Sequence, residues 1–253
     1  PPEAKKRMER LVKNLRLVYR DRIKTLPWMS EATKKKALEK LDAFGVKIGY
    51  PEKWRDYSKL EIKKDSYFAN IKRARKFNFD YELNKINKPK DPTEWHMYPQ
   101  TVNAYYNPTS NEIVFPAAIL QPPFFNVNAD APINYGAIGA VIGHEMTHGF
   151  DDQGRKFGPE GNLNLWWTEK DAQRFMKRAN ILKKQYDQFV LLDSLHLNTD
   201  LTLGENIADL GGLTIAYHAL QKELEKNPSK AIDGFTPKQR FFLGFAQVWR
   251  GKI

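Results

Sequence analysis

The sequence predicts an α+β fold that is mostly helical. Seven stretches read as helices, and the clearest β-branched and aromatic strand signals gather in one hairpin-like region between residues 102 and 115. At 253 residues the chain can bury the core of one large domain or two small ones. Its 41% hydrophobic and 28% charged residues are ordinary for a globular protein, and it has no apolar run long enough to span a membrane.

Residues 3–25 read as the first helix, with Leu11, Leu15, Val18 and Ile23 near helical spacing. Ser30 is placed to cap a second helix that runs to about Phe44 and stops near Gly45. Residues 46–62, broken by Gly49 and Pro51, read as loop with room for one strand, and residues 65–86 as a third helix. Asn87-Lys88-Pro89-Lys90-Asp91-Pro92 is a linker-like break and the expected domain boundary. Val102–Tyr106 and Glu112–Phe115 flank the turn-rich Asn107-Pro108-Thr109-Ser110-Asn111 and predict a β-hairpin. Residues 133–150 mix Ile138, Val141 and Ile142 with small residues and read as a buried helix. Residues 168–189, capped by Thr168, 203–226 and 237–250 complete the helices. There is no internal repeat and no low-complexity segment.

The net charge of +11 is uneven: residues 1–90 carry 26 Lys/Arg against 12 Asp/Glu, and the remainder 15 against 18. The basic residues are spread along helices and no nucleic-acid motif accompanies them, so the excess reads as a solvated surface, not a nucleic-acid site. There is no cysteine and no usable Asn-x-Ser/Thr sequon, which fits a bacterial source and removes thiolate from the possible metal ligands. The first residues show neither an initiator Met nor the apolar core of a signal peptide, as expected of a chain that starts within a longer one.

His144-Glu145-Met146-Thr147-His148 carries the strongest chemical signal. Histidines at i and i+4 share one helix face, about 6 Å apart along the axis, so both imidazoles can reach one Zn²⁺ at about 2.0–2.1 Å. Glu145 follows the first of them, where a carboxylate can take the proton of an activated water. The five-residue pattern alone also fits histidines packed in a core, but two features weigh against that. The surrounding helix is apolar, so two His and a Glu inside it are costly without a compensating partner. Glu205 and Asp209, at i,i+4 on a later predicted helix, sit among Leu203, Ile207, Ala208, Leu210 and Leu213. One of those carboxylates can bind zinc while the other accepts the distal N–H of a zinc-bound His. Two His and one carboxylate leave a fourth position open, as a catalytic zinc site requires.

Val141 to Asp152, Glu205-Asn206-Ile207-Ala208-Asp209, Val102-Asn103-Ala104-Tyr105-Tyr106 and Ile113 to Phe125 together resemble the neprilysin / endothelin-converting-enzyme family of gluzincin peptidases. The resemblance covers essentially the whole chain and is strongest over residues 94–253. It implies a thermolysin-like zinc peptidase core with a small β-hairpin or sheet. Residues 1–92 then form a helical segment of the lid and connecting region, and residues 93–253 a catalytic domain that stops before its C-terminal end. One Zn²⁺ per chain is implied, held by His144, His148 and Glu205, with Glu145 as general base and Asp209 orienting a zinc-bound His. Asn103 and Ala104 match the edge that holds a peptide as an added strand. Ile119, Phe124, Val141, Val248 and Trp249 match the apolar pocket after the scissile bond, although plain core packing would also account for them. Ala140 stands where neprilysin itself has a bulkier residue, which leaves the pocket size open.

The implied function is a zinc endopeptidase acting on oligopeptides, with an apolar residue preferred after the scissile bond. The expected protein is monomeric and binds no nucleic acid; its compartment stays open, with a bacterial periplasm or another extracytoplasmic space favoured over the cytoplasm. The family continues with a His and an Arg that steady the oxyanion, and neither has a match here: no His follows His218, and Arg250 is outside that motif. Residues 1–253 alone are therefore expected to turn over slowly, since losing such a donor costs about 10²–10³ in rate. A peptide-binding module that keeps the metal and strand contacts without turnover is the competing class. His96, His196 and His218 lie outside any ligand spacing. Asp151 and Asp152 offer two roles, orienting His148 or capping the helix, and the sequence does not choose between them.

Overall fold

A computed structural model describes residues 2–251, the side chain of Leu191 excepted. They form two compact units. One ends at Tyr50 and resumes at Met97, and the other is Pro51–His96. The segment 2–50, which the composition groups with the residues up to 92, thus packs in the same unit as the His144–His148 motif.

In the larger unit, α1 (Pro2–Thr25) buries Met8, Leu11, Val12, Leu15, Val18, Tyr19 and Ile23, a stripe at three- and four-residue spacing. α2 (Glu31–Asp42) starts where Ser30 accepts a hydrogen bond from the Thr33 N–H. β1 (Gly45–Gly49) follows and pairs in parallel with β3 (Glu112–Pro116). β2 (Tyr105–Asn107) pairs with β3 in antiparallel fashion, so the strand order is β1-β3-β2. The predicted hairpin is present, but its first strand starts at Tyr105 and not at Val102. Asn103 Oδ1 accepts the Ala104 N–H at 2.9 Å, a local bond that takes that donor out of any ladder. All of β3 is buried, and its Glu112 is paired with Lys47 of β1 at 2.8 Å.

α4 (Ala131–Asn134), a π-helical segment (Tyr135–Gly139) and α5 (Ala140–His148) run on from one another where one buried helix over 133–150 is predicted. α6 (Glu169–Tyr186) is capped by Thr168 as expected. A short antiparallel pair, β4 (Val190–Leu192) and β5 (Leu195–His196), follows, in a stretch between predicted helices to which the sequence reading assigns no element. α7 (Thr199–Lys226) begins about one turn before Leu203 because Asn198 accepts the Leu201 N–H. α8 (Pro237–Val248) opens with a capping box between Thr236 and Gln239.

The site depends on the α5–α7 pair, the most extensive element contact among the described residues. Glycines set its closeness: a Cβ on Gly143 would lie 2.6 Å from the Gly212 carbonyl oxygen, and one on Gly212 would lie 2.4 Å from the His144 backbone nitrogen. Main chain therefore touches main chain beside the first histidine, and the side chains one and two turns earlier on α7 reach across to α5.

In the smaller unit, α3 (Tyr67–Leu83) has an N-cap at Ser66 and buries none of its residues. Arg55 stacks its guanidinium on the rings of Tyr57, Phe77 and Tyr81, 3.9 Å from the last centroid. Ion pairs Arg73–Asp65 and Lys85–Glu94 add surface contacts. The linker-like residues 87–92 lie inside this unit. No helix among the described residues is long and apolar enough to cross a membrane.

Candidate metal centre

His144 and His148 project from one face of α5, and their Nε2 atoms are 2.9 Å apart. Glu205 comes from α7 and places Oε2 3.1 Å from the first Nε2 and 3.5 Å from the second. These three are the group among the described residues whose ligand atoms converge closely enough to hold an ion. A tetrahedral ion with bonds of 2.0–2.1 Å separates its ligand atoms by about 3.3 Å, close to the spacings seen.

The far side of each ring decides what the near side offers. His144 Nδ1 donates to Asp209 Oδ1 at 2.8 Å, and His148 Nδ1 donates to Asp151 Oδ2 at 2.7 Å. With both protons on Nδ1, both Nε2 lone pairs point inward at one another and at a carboxylate oxygen. That is a donor set for a cation and is repulsive without one, so the residues present fit Zn²⁺. Burial pulls the His148 imidazole down, but Asp151, Glu145 and Glu205 outweigh it and hold its pKa above the ordinary value.

Glu145 is 6% exposed, next to the first ligand position. Burial pushes its carboxyl up to about 6, against the opposing pull of His144 and His148. The carboxyl also accepts the backbone N–H of Tyr106, which ties it to β2. Ala104, just before that strand, is buried, and Asn103 is exposed.

Of the two roles the sequence leaves open for Asp151, the structure has it orient His148, while its other oxygen serves the turn after α5 and does not cap that helix. While Oδ2 holds His148, Oδ1 accepts the N–H groups of Gln153 at 2.9 Å and Gly154 at 2.6 Å, closing the turn after α5. Sequence reasoning also passed over Lys40, whose side chain is fully buried below this turn. The signal for it was weak: one lysine among several in a basic helix. Burial brings its ammonium down to about 7, and Asp151 opposes the shift.

Of the five pocket candidates, Ile119 is a core residue and Phe124 and Val141 pack against the same apolar cluster. Val248 is half-buried near the end of α8 and Trp249 is 60% exposed; both stand outside that cluster. His196 donates from Nδ1 to the Asp187 carbonyl at 3.1 Å, away from the ligand group. His218 is exposed beside Tyr217.

The profile of peptidase family M13 matches residues 103–253, and that of the family's N-terminal region matches residues 1–51. The chain is 44% identical to an endothelin-converting enzyme homolog of Locusta migratoria, over 97% of its own length and 35% of the relative's. It is also 44% identical to human neprilysin, over 98% and 35%. Among solved structures, zinc metalloprotease ZMP1 of Mycobacterium tuberculosis in complex with an inhibitor superposes with a TM-score of 0.94 at 52% identity, covering 98% of this chain and 38% of that one. PepO from Lactobacillus rhamnosis gives 0.88 at 32% identity, covering 98% and 38%. The chain thus spans about a third of the length of the curated relatives it matches. A helical α+β fold, a two-histidine, one-glutamate cluster and these matches agree: the chain belongs to peptidase family M13.

Proposed function

We propose that the protein is a zinc-dependent endopeptidase that hydrolyses peptide bonds in oligopeptides. The observation that carries this reading is the convergence of His144, His148 and Glu205 with the buried Glu145 alongside. Family membership supports it, and the mycobacterial relative is described as a zinc metalloprotease.

In this reading His144 Nε2, His148 Nε2 and Glu205 Oε2 hold Zn²⁺. When bound, the metal supplies Lewis-acid polarisation of the scissile carbonyl and of the attacking water. Glu145 accepts the proton of that water on its carboxylate. Asp209 and Asp151 keep the imidazoles in the tautomer that ligates. The backbone around Asn103 and Ala104, the Ala104 N–H excepted, is the edge for a substrate laid down as an extra strand, a mode that accepts many sequences. The Tyr106 N–H, bonded to Glu145, keeps the base in register with that edge. Phe124 and Val141, packed over the core with Ile119 beneath, supply apolar surface for the residue after the scissile bond, with Val248 and Trp249 as the outer wall.

Two substitutions in the full-length protein test this. Glu145→Gln keeps the shape and cannot take a proton, so zinc content should stay near one per chain while cleavage of a fluorogenic peptide falls by at least about 10²-fold. Glu205→Ala should lose the metal and the activity together. Near-normal turnover by zinc-loaded Glu145→Gln would remove Glu145 as the base, and full zinc content in Glu205→Ala would remove the ligand set.

A further inference from the structure

We propose that Lys40 is a positioning residue for His148, clamping the turn that carries Asp151 so that Asp151 holds the imidazole on the metal. The inference rests on the reading of His148 as a zinc ligand.

Lys40 lies on α2, more than a hundred residues from the motif, and its side chain is fully buried. Nζ donates to three carbonyl oxygens: Gly149 at 2.7 Å, Gly154 at 2.7 Å and Phe157 at 2.8 Å. An ammonium has three N–H bonds and meets three acceptors. Gly149 is the residue that ends α5, where carbonyls lack helical partners and a cation is favoured. Phe150 and Tyr106 present ring faces 5.6 and 5.7 Å from Nζ.

The three carbonyls span the turn that contains Asp151. That turn is tight: a Cβ on Gly154 would lie 1.7 Å from the His148 carbonyl oxygen. Gly154 gives its carbonyl to Lys40 and its N–H to Asp151, whose other oxygen takes His148 Nδ1. The route from ammonium to imidazole therefore runs through two residues, Gly154 and Asp151, each held on both sides. Packing alone does not call for a charge here, because an apolar side chain would fill the same space without the cost of desolvating an ammonium. What a hydrocarbon cannot do is fix three carbonyls.

The test compares wild type, Lys40→Met and a destabilised control, Leu15→Ala, all in the full-length protein. Leu15 is fully buried in α1, and truncating such a residue lowers Tm through the core. Zinc affinity is read by chelator competition, coordination geometry by the visible spectrum of the Co²⁺-substituted protein, and turnover as separate kcat and KM. Lys40→Met should weaken zinc binding about tenfold, the low end for groups that support a ligand. It should also shift the Co²⁺ spectrum and lower kcat with KM near wild type. Leu15→Ala should lower Tm and leave the zinc affinity and spectrum unchanged. Wild-type affinity and spectrum in folded Lys40→Met would overturn the proposal, as would equal changes in Leu15→Ala. Should Lys40→Met not fold, Lys40→Gln, which keeps two of the N–H donors, is judged by the same criteria. A wild-type protein that binds neither Zn²⁺ nor Co²⁺ would instead overturn the ligand assignment beneath it.

Discussion

His144 and His148 stand one turn apart on the same helix and are steadied in opposite ways. The first takes its carboxylate from α7, 65 residues on, and Asp209 is nearly half exposed. The second takes its carboxylate from three residues away, and Asp151 is 4% exposed with two backbone N–H groups on its other oxygen. One support depends on how two helices cross; the other depends on how one helix ends. The two should therefore fail under different substitutions.

The largest effect is expected at the crossing. In an ordinary helix interior, replacing Gly by Ala stabilises by up to about 1 kcal/mol. At Gly212 the new methyl would meet the Ala140 carbonyl oxygen at 2.6 Å and His144 backbone atoms at 2.4 and 2.8 Å. Backbone cannot step aside as a side chain can, and overpacking of this kind costs about 3 kcal/mol. Gly212→Ala should thus lower Tm and, by moving Glu205 and Asp209 off α5, weaken zinc binding. A variant as stable as wild type would mean that the helices do not approach as closely as the geometry has them.

The two carboxylates can then be set against each other. Asp209→Asn and Asp151→Asn should each cost about 10–100-fold in zinc affinity, since an amide can present its N–H to the ring and disturb the tautomer. Their effects on the metal-free fold should differ. Asp209 leaves a half-exposed surface and should change Tm little. Asp151 gives up charge-assisted bonds to two backbone N–H groups in a buried turn, worth about 1.5–3 kcal/mol each, although the amide oxygen retains part of that. Equal Tm values for the two metal-free variants would erase the distinction between crossing and turn.

This difference in construction also separates what the sequence reveals from what it hides. Asp209 is legible because it shares a helix face with Glu205, and helical spacing is a local property of sequence. The two histidines and most of the helices are legible for the same reason, as are the caps at Ser30 and Thr168, where one side chain answers one N–H. The second role of Asp151 depends on a turn whose path is fixed by Lys40 from another helix. The π-helical segment at Tyr135–Gly139 is set by packing too, since a Cβ on Gly136 would lie 1.9 Å from the Phe241 carbonyl oxygen. The grouping of residues 2–50 with the unit that carries His144 and His148 has the same origin. The charge count separates residues 1–90 by sign, whereas the stripe of α1 is apolar and packs into the core with residues from the chain beyond Met97.

A third carboxylate supplies the smallest and most selective effect, because it joins distant elements without touching a histidine. Asp171, in the first turn of α6, accepts hydrogen bonds from the Ser30 N–H and hydroxyl and, at 2.7 Å, from the Thr33 hydroxyl. It thereby fastens α6 to the start of α2. Burial alone would raise its pKa, but these bonds and one from Thr168 outweigh it and bring it from 3.8 to about 2. A carboxyl with a lower pKa in the folded than in the unfolded chain stabilises fully above the unfolded value. It loses that contribution as pH falls from near 3.8 toward about 2. The shift corresponds to about 2 kcal/mol. In metal-free protein, the Tm gap between wild type and Asp171→Asn should be widest near pH 5 and shrink as pH falls through that window. At neutral pH the same substitution should leave zinc affinity unchanged, because no hydrogen bond runs from Asp171 to the ligand residues. A gap constant with pH would show that the carboxylate is not what joins the two helices. A loss of zinc affinity comparable to that of Asp209→Asn would show that long-range carboxylates act on the metal through the fold as a whole, and the contrast between crossing and turn would lose its meaning.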